Sequence, residues 1–255
     1  MSNFLKKFYL CLIYTMLYLP ILILILYSIN TAKFSLQWHG MTLRWYHELF
    51  ADHDLWGAVY HSFWLAICAA VLATGLSCLA CVHIFMFKRN KHKLLYGLII
   101  LLIIIPDLVL GVALLIFFNL AHIPLGFSSL LIAHITFCIP FTMMTLAAQI
   151  NTLDHNIYLS ALDLGASRLR ALTQIILPLL WPSILSAFLL SFTLSFDDVI
   201  TSYFVAGPDY NILPLTIYSL VRAGVSPELN ALCTITLALS LIPVLIANRL
   251  TGKLL

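Results

Sequence analysis

Long uninterrupted apolar runs, separated by short polar gaps, dominate this chain. A helix rising ~1.5 Å per residue needs about 20 mostly apolar residues to cross a hydrocarbon layer of ~30 Å. Six stretches meet that requirement: about 8–29, 61–87, 94–120, 129–150, 181–205 and 229–248. Inside a bilayer every backbone N–H and C=O must be satisfied within the protein, which leaves helices or closed barrels. Barrel strands alternate in polarity over about ten residues, and runs such as Ile21–Leu26 and Leu98–Ile105 show no alternation. The pattern predicts an all-α, polytopic integral membrane protein with six transmembrane helices in one membrane domain, 1–255. The first run follows Lys6 and Lys7 as a signal peptide would. It is about twice a typical signal core, and Tyr27-Ser28-Ile29-Asn30 is no small-residue cleavage site, so it is expected to remain as an anchor.

One stretch breaks the pattern. Between the fourth and fifth runs, residues 151–178 carry Asp154, His155, Asp163, Arg168, Arg170 and Gln174, too polar to span. Gly165 is a natural helix end, because glycine takes positive φ without strain. Pro178 and Pro182 suit the first turns of a following helix, where a missing N–H costs little. The spacing predicts two short amphipathic helices. A solvated loop would waste Leu159, Leu162, Leu164, Leu169, Leu172, Ile175 and Ile176, so their face is expected to seek lipid headgroups or a protein partner.

Composition narrows the class. Only 9% of the 255 residues are charged and 62% are hydrophobic, against about 25% charged in soluble domains. A soluble enzyme, a nucleic-acid binder and a disordered chain are excluded together, and a net charge of +3 suggests no polyanionic partner. The positive charges orient the chain. With Lys6 and Lys7 inside, ten basic residues fall on the cytoplasmic side, including Lys88, Arg89, Lys91, Lys93, Arg168, Arg170, Arg249 and Lys253. Three, Lys33, Arg44 and Arg222, fall outside, so both termini are expected in the cytoplasm. Trp38, Trp45, Trp56, Trp64 and Trp181 lie near run boundaries, as in an interfacial aromatic belt.

Candidate chemistry is sparse. Cys78 and Cys81 have CxxC spacing, but no second Cys/His pair accompanies them, and small side chains on a lipid-embedded helix explain them better than a metal. A phosphate-binding loop needs G-x-x-x-x-G-K-[ST]; the Gly252-Lys253 pair is followed by Leu254 and lacks the first glycine. The chain is read as no enzyme, with no cofactor. In the second run, Ala66, Ala70 and Thr74 form one i,i+4 row and Ala69, Ala73, Ser77 and Cys81 another. Such rows permit close helix approach, although small residues facing lipid would look the same. His134, inside the fourth run, is read as a hydrogen-bonded packing residue.

The polar segment carries a resemblance. Binding-protein-dependent ABC importer permeases share the pattern Glu-Ala-Ala, three residues, Gly, nine residues, Ile-x-Leu-Pro. Here Ala161, Gly165, Ile175, Leu177 and Pro178 fall at matching places, while Leu159 stands at the Glu position and Ser160 at the first Ala. Trp45-Tyr46, His134 to Pro140, Ser191 to Asp198, Leu213-Pro214 and Gly224 to Glu228 are similar to the polyamine (spermidine/putrescine) branch of that family. The resemblance implies a type I ABC importer permease fold, and ATP-driven polyamine import through a path shared with a second permease subunit. It also implies a separate ATPase subunit pair, a periplasmic polyamine-binding protein and residence in a bacterial inner membrane. Residues 151–178 would be the coupling segment that docks on the ATPase. Leu159, Ser160, Ala161, Asp163, Gly165, Ala166, Ile175, Leu177 and Pro178 would be its signature positions.

Three acids remain within the apolar runs: Asp107, Asp197 and Asp198. A carboxylate at the bilayer centre costs about 2.5–3.5 kcal/mol on insertion scales, so such residues face a cavity or a partner. By helical rise, Asp107 lies about 20 Å and Asp198 about 26 Å from the cytoplasmic boundary. Both depths fall in the outer half, suited to a polycation entering from outside. Adjacent helical residues diverge by ~100°, so one of the pair would face the path, and Asp198 is favoured. Tyr203 and Tyr218 could add cation–π contacts to an ammonium group. A structural reading stays open, with Asp107 serving the helix break at Pro106 and the pair sitting among headgroups. The rival functions are an ion-coupled secondary carrier of a cationic solute and an ABC permease for another small solute. Reporter fusions at Lys91, Ser167 and Lys253 are expected to read as cytoplasmic, and fusions at Gln37, Ile123 and Val225 as external. One reversal would change the helix count.

Overall fold

The computed structural model describes residues 3–32, 37–87, 93–224 and 226–251. Lys33, Lys88, Arg89, Lys91, Val225 and Lys253, used above for orientation, lie outside the described residues. The described residues are helical, with no strand among them beyond a single bridge pairing Asn30 with Met41. In chain order the helices are α1 (Asn3–Tyr27), α2 (Arg44–Ala51), α3 (His53–Phe87), α4 (Lys93–Ile104), α5 (Asp107–Leu120) and α6 (Phe127–Ile150). Then follow α7 (His155–Asp163), α8 (Arg168–Ala171), a π-helical turn (Leu172–Ile176), α9 (Leu177–Phe196), α10 (Ile200–Val205), α11 (Leu213–Ala223) and α12 (Pro227–Thr251).

Four stretches are long and apolar enough to cross a bilayer: Leu5–Tyr27, His53–Met86, Phe127–Ile150 and Arg168–Phe196. The pair Gly97–Ile104 and Asp107–Leu120 makes a fifth if counted as one span, but it is bent by 107°. The run expected over 94–120 is broken at Pro106, the residue at which the sequence offers a helix break. The expected fifth run, 181–205, begins earlier and stops at Phe196, leaving α10 as a separate short helix. The expected sixth, 229–248, falls within α12, which opens with the apolar stretch Pro227–Leu239.

The chain divides into two units, Met1–Gly57 with Thr216–Ile242 and Ala58–Leu215 with Pro243–Leu255. In the first, Asn30 organises the turn after α1. Its side chain donates to the Gln37 carbonyl at 2.9 Å and accepts from His39 N–H at 3.0 Å. The indole of Trp45 donates to the Asn30 carbonyl at 2.7 Å. Trp45 is buried. It is a core residue whose N–H has found a partner, and no member of an interfacial belt. Trp38, Trp56, Trp64 and Trp181 are exposed.

The second unit is built on α3, α6 and α9. Both small-residue rows of α3 are buried, from Ala66 to Cys81, and they form a seam against α6. There Ser77 Oγ and Thr142 Oγ1 are 2.6 Å apart, Thr142 Oγ1 donates to the Ala73 carbonyl at 3.5 Å, and Cys81 Sγ lies 3.7 Å from the Met143 carbonyl. The lipid-facing alternative for these rows does not hold. Two apolar clusters close the unit. One, at the Gly165 end, packs Cys81, Val82, Ile99, Leu146, Tyr158, Ala171, Ile176 and Leu180. The other, at the Gly207 end, packs Leu65, Phe118, Leu130, Ala133, Val205 and Ile212.

Gly207 sits where two backbones meet. A Cβ there would fall on the Leu125 carbonyl and within 2.9 Å of the Gly126 nitrogen, whereas one on Gly75 would meet nothing within 4 Å. Backbone atoms cannot swing aside, so Gly207→Ala is expected to destabilise by about 1–3 kcal/mol, the range for overpacking. Gly75→Ala is expected to be neutral or stabilising by up to about 1 kcal/mol. Thermal unfolding of the two detergent-solubilised variants compares them directly, and equal midpoints would refute the close approach at Gly207.

Candidate functional site

Two helix breaks in the second unit hold the three apolar-run acids. The first is made by Pro106, which has no N–H to donate and disfavours helical backbone in the residue before it. Pro106 is extended (φ −60°, ψ 137°), and α5 restarts on its carbonyl, which accepts from Val109 at 2.9 Å and Leu110 at 3.1 Å. Asp107 is the first residue of α5 and is exposed. An acid in a helix's first turn is favoured by the helix dipole.

The second break follows Phe196. Asp197 caps α9, its N–H donating to the Thr193 carbonyl at 3.2 Å, and its side chain is exposed. Asp198 turns onto the start of α10. Its Oδ1 accepts from Thr201 N–H at 3.3 Å, and its Oδ2 accepts from both the N–H and the hydroxyl of Ser202, each at 2.8 Å. Carboxylate bonds of this kind replace the helix-end donors that have no partner within the helix. Asp198 is thus the acid that the protein itself has engaged, with a side chain only 10% exposed. Asp197 is the more exposed of the pair, and Asp198, favoured from the sequence, is the one bonded to the protein.

Behind Asp198 lies His134 of α6, fully buried. Its Nε2 is 3.0 Å from Ser202 Oγ and 3.8 Å from Asp198 Oδ2, and its Nδ1 is 2.7 Å from Ser195 Oγ on α9. Serine has one hydroxyl proton, and that of Ser202 goes to Asp198. Ser202 Oγ therefore accepts from His134 Nε2–H, and Nδ1 accepts the Ser195 proton. One hydrogen-bonded chain joins α9, α6 and α10 to the carboxylate. Among the described residues, His134 is the only basic group within ion-pair distance of any of the three acids.

The helices that follow the two breaks pack against each other. A Cβ on Gly111, one turn into α5, would come 3.3 Å from the Thr201 Cα and 2.9 Å from the Phe204 ring. Further along, Phe118 and Val205 share one apolar cluster. The two helices thus meet at Gly111, four residues after Asp107 on one, and at Thr201, three residues after Asp198 on the other. Tyr203 is exposed on α10, its ring edge-on to Phe204 at 5.7 Å. Tyr218 belongs to the other unit, where the Arg222 guanidinium already lies 5.8 Å from its ring centroid.

The polar segment 151–178 has its own order. Asp154 caps α7 by accepting from Asn156 N–H at 2.9 Å. At the far end Gly165 has φ +86°, its N–H donates to the Leu162 carbonyl at 2.9 Å, and Ala166 N–H donates to the Ala161 carbonyl at 3.0 Å. This paired closure is the Schellman ending that glycine allows. Ser167 then caps α8, accepting from Arg170 N–H at 3.3 Å. Ala161, Ala171 and Ile176 are buried, and Ile175 and Leu177 are half-buried. Leu159, Ser160, Asp163, Leu164, Leu169 and Pro178 are exposed, Leu164 at 89%. The π-helical turn immediately precedes Pro178, where a missing N–H and a ring clash would otherwise disrupt α-helical bonding.

Ser195, Thr201, Ser202 and Gly111 were not singled out from the sequence. An Asp just before a helix start is a helix-start signal, obscured here by an apolar run that continues to Val205. The small residue at Gly111 offered no comparable signal.

The family described as "Binding-protein-dependent transport system inner membrane component" matches residues 75–254. The spermidine/putrescine transport system permease protein PotC of Escherichia coli K12 is 44% identical over 241 residues, covering 94% of this chain and 91% of that protein. PotC of Haemophilus influenzae is 42% identical, covering 98% and 97%. The putrescine transport system permease protein PotI of E. coli K12 is 38% identical, covering 88% and 82%. Among solved structures, a bacterial ABC transporter that imports alginate aligns with a TM-score of 0.75 at 14% identity, covering 98% of this chain and 95% of the other. An amino acid ABC transporter aligns at 0.62 and 16% identity, covering 84% and 100%; both show the fold alone. The family match and the extent of identity make this chain a member of the inner-membrane components of binding-protein-dependent transport systems, the permease subunits of ABC importers.

Proposed function

We propose that the chain is one of two permease subunits of an ATP-driven importer of polyamines, spermidine or putrescine, in a bacterial inner membrane with both termini cytoplasmic. The observation that carries this reading is 44% identity over 94% of the chain to a spermidine/putrescine permease. ATP is hydrolysed on a separate subunit. A periplasmic polyamine-binding protein delivers substrate, and a second permease chain completes the path. One solved neighbour was captured with a ligand-bound periplasmic protein, which supports a partner of that kind.

In this reading the exposed leucines at the tip of 151–178 dock on the ATPase, and the two breaks present negative charge to the polycation. An ammonium group crossing a low-dielectric path without counter-charge would pay a heavy desolvation cost, while carboxylates held too tightly on substrate would stop release. Asp107 and Asp197 supply that charge, Asp198 holds the second break, and Tyr203 offers an exposed ring on α10. The test is ATP-dependent uptake of labelled spermidine and putrescine in vesicles carrying the two permeases, the ATPase and the binding protein. Uptake of both without ATP, or of neither with it, refutes the assignment.

Two variant sets follow. Asp107→Asn and Asp197→Asn keep shape but remove charge. Each is expected to cut initial uptake on the order of tenfold, equivalent to about 1.4 kcal/mol, with unchanged assembly. Asp198→Asn is expected to lower both uptake and thermal stability, because an amide presents one acceptor where the carboxylate presents two. Gly165→Val meets no steric obstacle, yet a left-handed conformation costs an L-residue about 1–2 kcal/mol. It is expected to insert normally while stimulated ATP hydrolysis and uptake fall together; normal coupling would show that docking does not use this turn.

A further inference from the structure

The chain Ser195–His134–Ser202–Asp198 does something that packing alone would not require. Three helices contribute to it, and every hydrogen-bonding group of the imidazole is used. Apolar residues of similar size would fill the same space between α6, α9 and α10 without the cost of burying polar groups, which is substantial unless they are fully bonded. The chain terminates on Asp198, and the exposed carboxylate of Asp197 is attached to the same short break. Ser195 anchors one side of that break, on the last turn of α9, and Ser202 the other, on α10. His134 bridges the two anchors from a third helix. A side chain placed there fixes how far α10 can rotate against α9, and so where the break residues point.

We propose that His134 is a positioning residue for transport: through Ser195 and Ser202 it locks the break between α9 and α10 so that Asp197 is held toward the substrate. The proposal rests on the polyamine reading above. His134 touches no substrate in it. Its effect on affinity is indirect, by limiting the orientations of a neighbouring carboxylate.

The experiment uses the full transporter in vesicles with His134→Leu, which fills the site without polar atoms, and His134→Gln, whose amide can still donate to Ser202. Ser202→Ala and Ser202→Thr form a second pair that removes and restores the hydroxyl. His134→Leu and Ser202→Ala are expected to raise the half-saturating polyamine concentration by about tenfold, the scale of one hydrogen bond to a charged group. Maximal rate and basal ATP hydrolysis should stay near wild type, and the Gln and Thr variants should recover most of the loss. A fall in maximal rate or in assembled transporter with unchanged half-saturation would mean a structural role only, and overturns the proposal.

A second readout does not depend on what is transported. In a background with the native cysteines replaced, Asp197→Cys is labelled with a small cationic thiol reagent, with and without His134→Leu. Loss of the lock should change the labelling rate at least about threefold, well under the effect of one such bond. An unchanged rate overturns the proposal even if uptake is altered. Should wild-type vesicles import no polyamine, the functional reading fails while the labelling result still decides the role of His134.

Discussion

A helix that stops inside hydrocarbon must find substitutes for the backbone bonds it gives up. Two helices of this permease stop within long apolar runs, at Pro106 and after Phe196. In the first the proline carbonyl restarts the helix. In the second the Asp198 carboxylate takes the N–H groups of Thr201 and Ser202. Gly111 lets α5 and α10 come into contact. Only the second break uses negative charge for its repair, and Asp107 and Asp197 are left exposed beside the two breaks.

That arrangement separates two roles that the Asp197-Asp198 pair would otherwise blur. One carboxylate is spent on the protein and is nearly buried, and the other is exposed. A site for a polycation needs both: a fixed backbone, and charge that is not already neutralised. His134 is the link between α6, with its close seam against α3, and the short helix α10. At the opposite end, the Gly165 closure and the buried residues Ala161, Ala171 and Ile176 hold residues 151–178 against the rest of the second unit. In the proposed reading, the leucines left outside dock on the ATPase.

Much of the fold was legible because hydrophobic length is a strong signal. The runs over 8–29, 61–87 and 129–150 correspond to α1, α3 and α6, and Gly165 ends α7 with positive φ. A break at Pro106 is legible in the proline itself, but its angle and the polar partners inside the apolar runs are not. Run length cannot reveal a 107° bend, since the residues on both sides of Pro106 are equally apolar. The linear depth of Asp107, counted along an unbroken helix, loses its meaning at that bend. The cap at Asp198 was outvoted by the valine, isoleucine and aromatic residues that follow it. Trp45 looked like a belt residue because its partner, the Asn30 carbonyl, lies fifteen residues away in sequence. Long-range polar pairs of this kind, Ser195 with His134 among them, leave no local pattern.

The most direct test of the central claim is the number of polyamine molecules imported per ATP hydrolysed, measured in the same vesicles for wild type and for Asp107→Asn with Asp197→Asn combined. If the exposed break acids carry the substrate's charge, the doubly substituted transporter should keep binding-protein-stimulated ATP hydrolysis while that ratio collapses. A ratio equal to wild type would contradict the account, because the acids at the helix breaks would then serve the protein's structure and not its cargo.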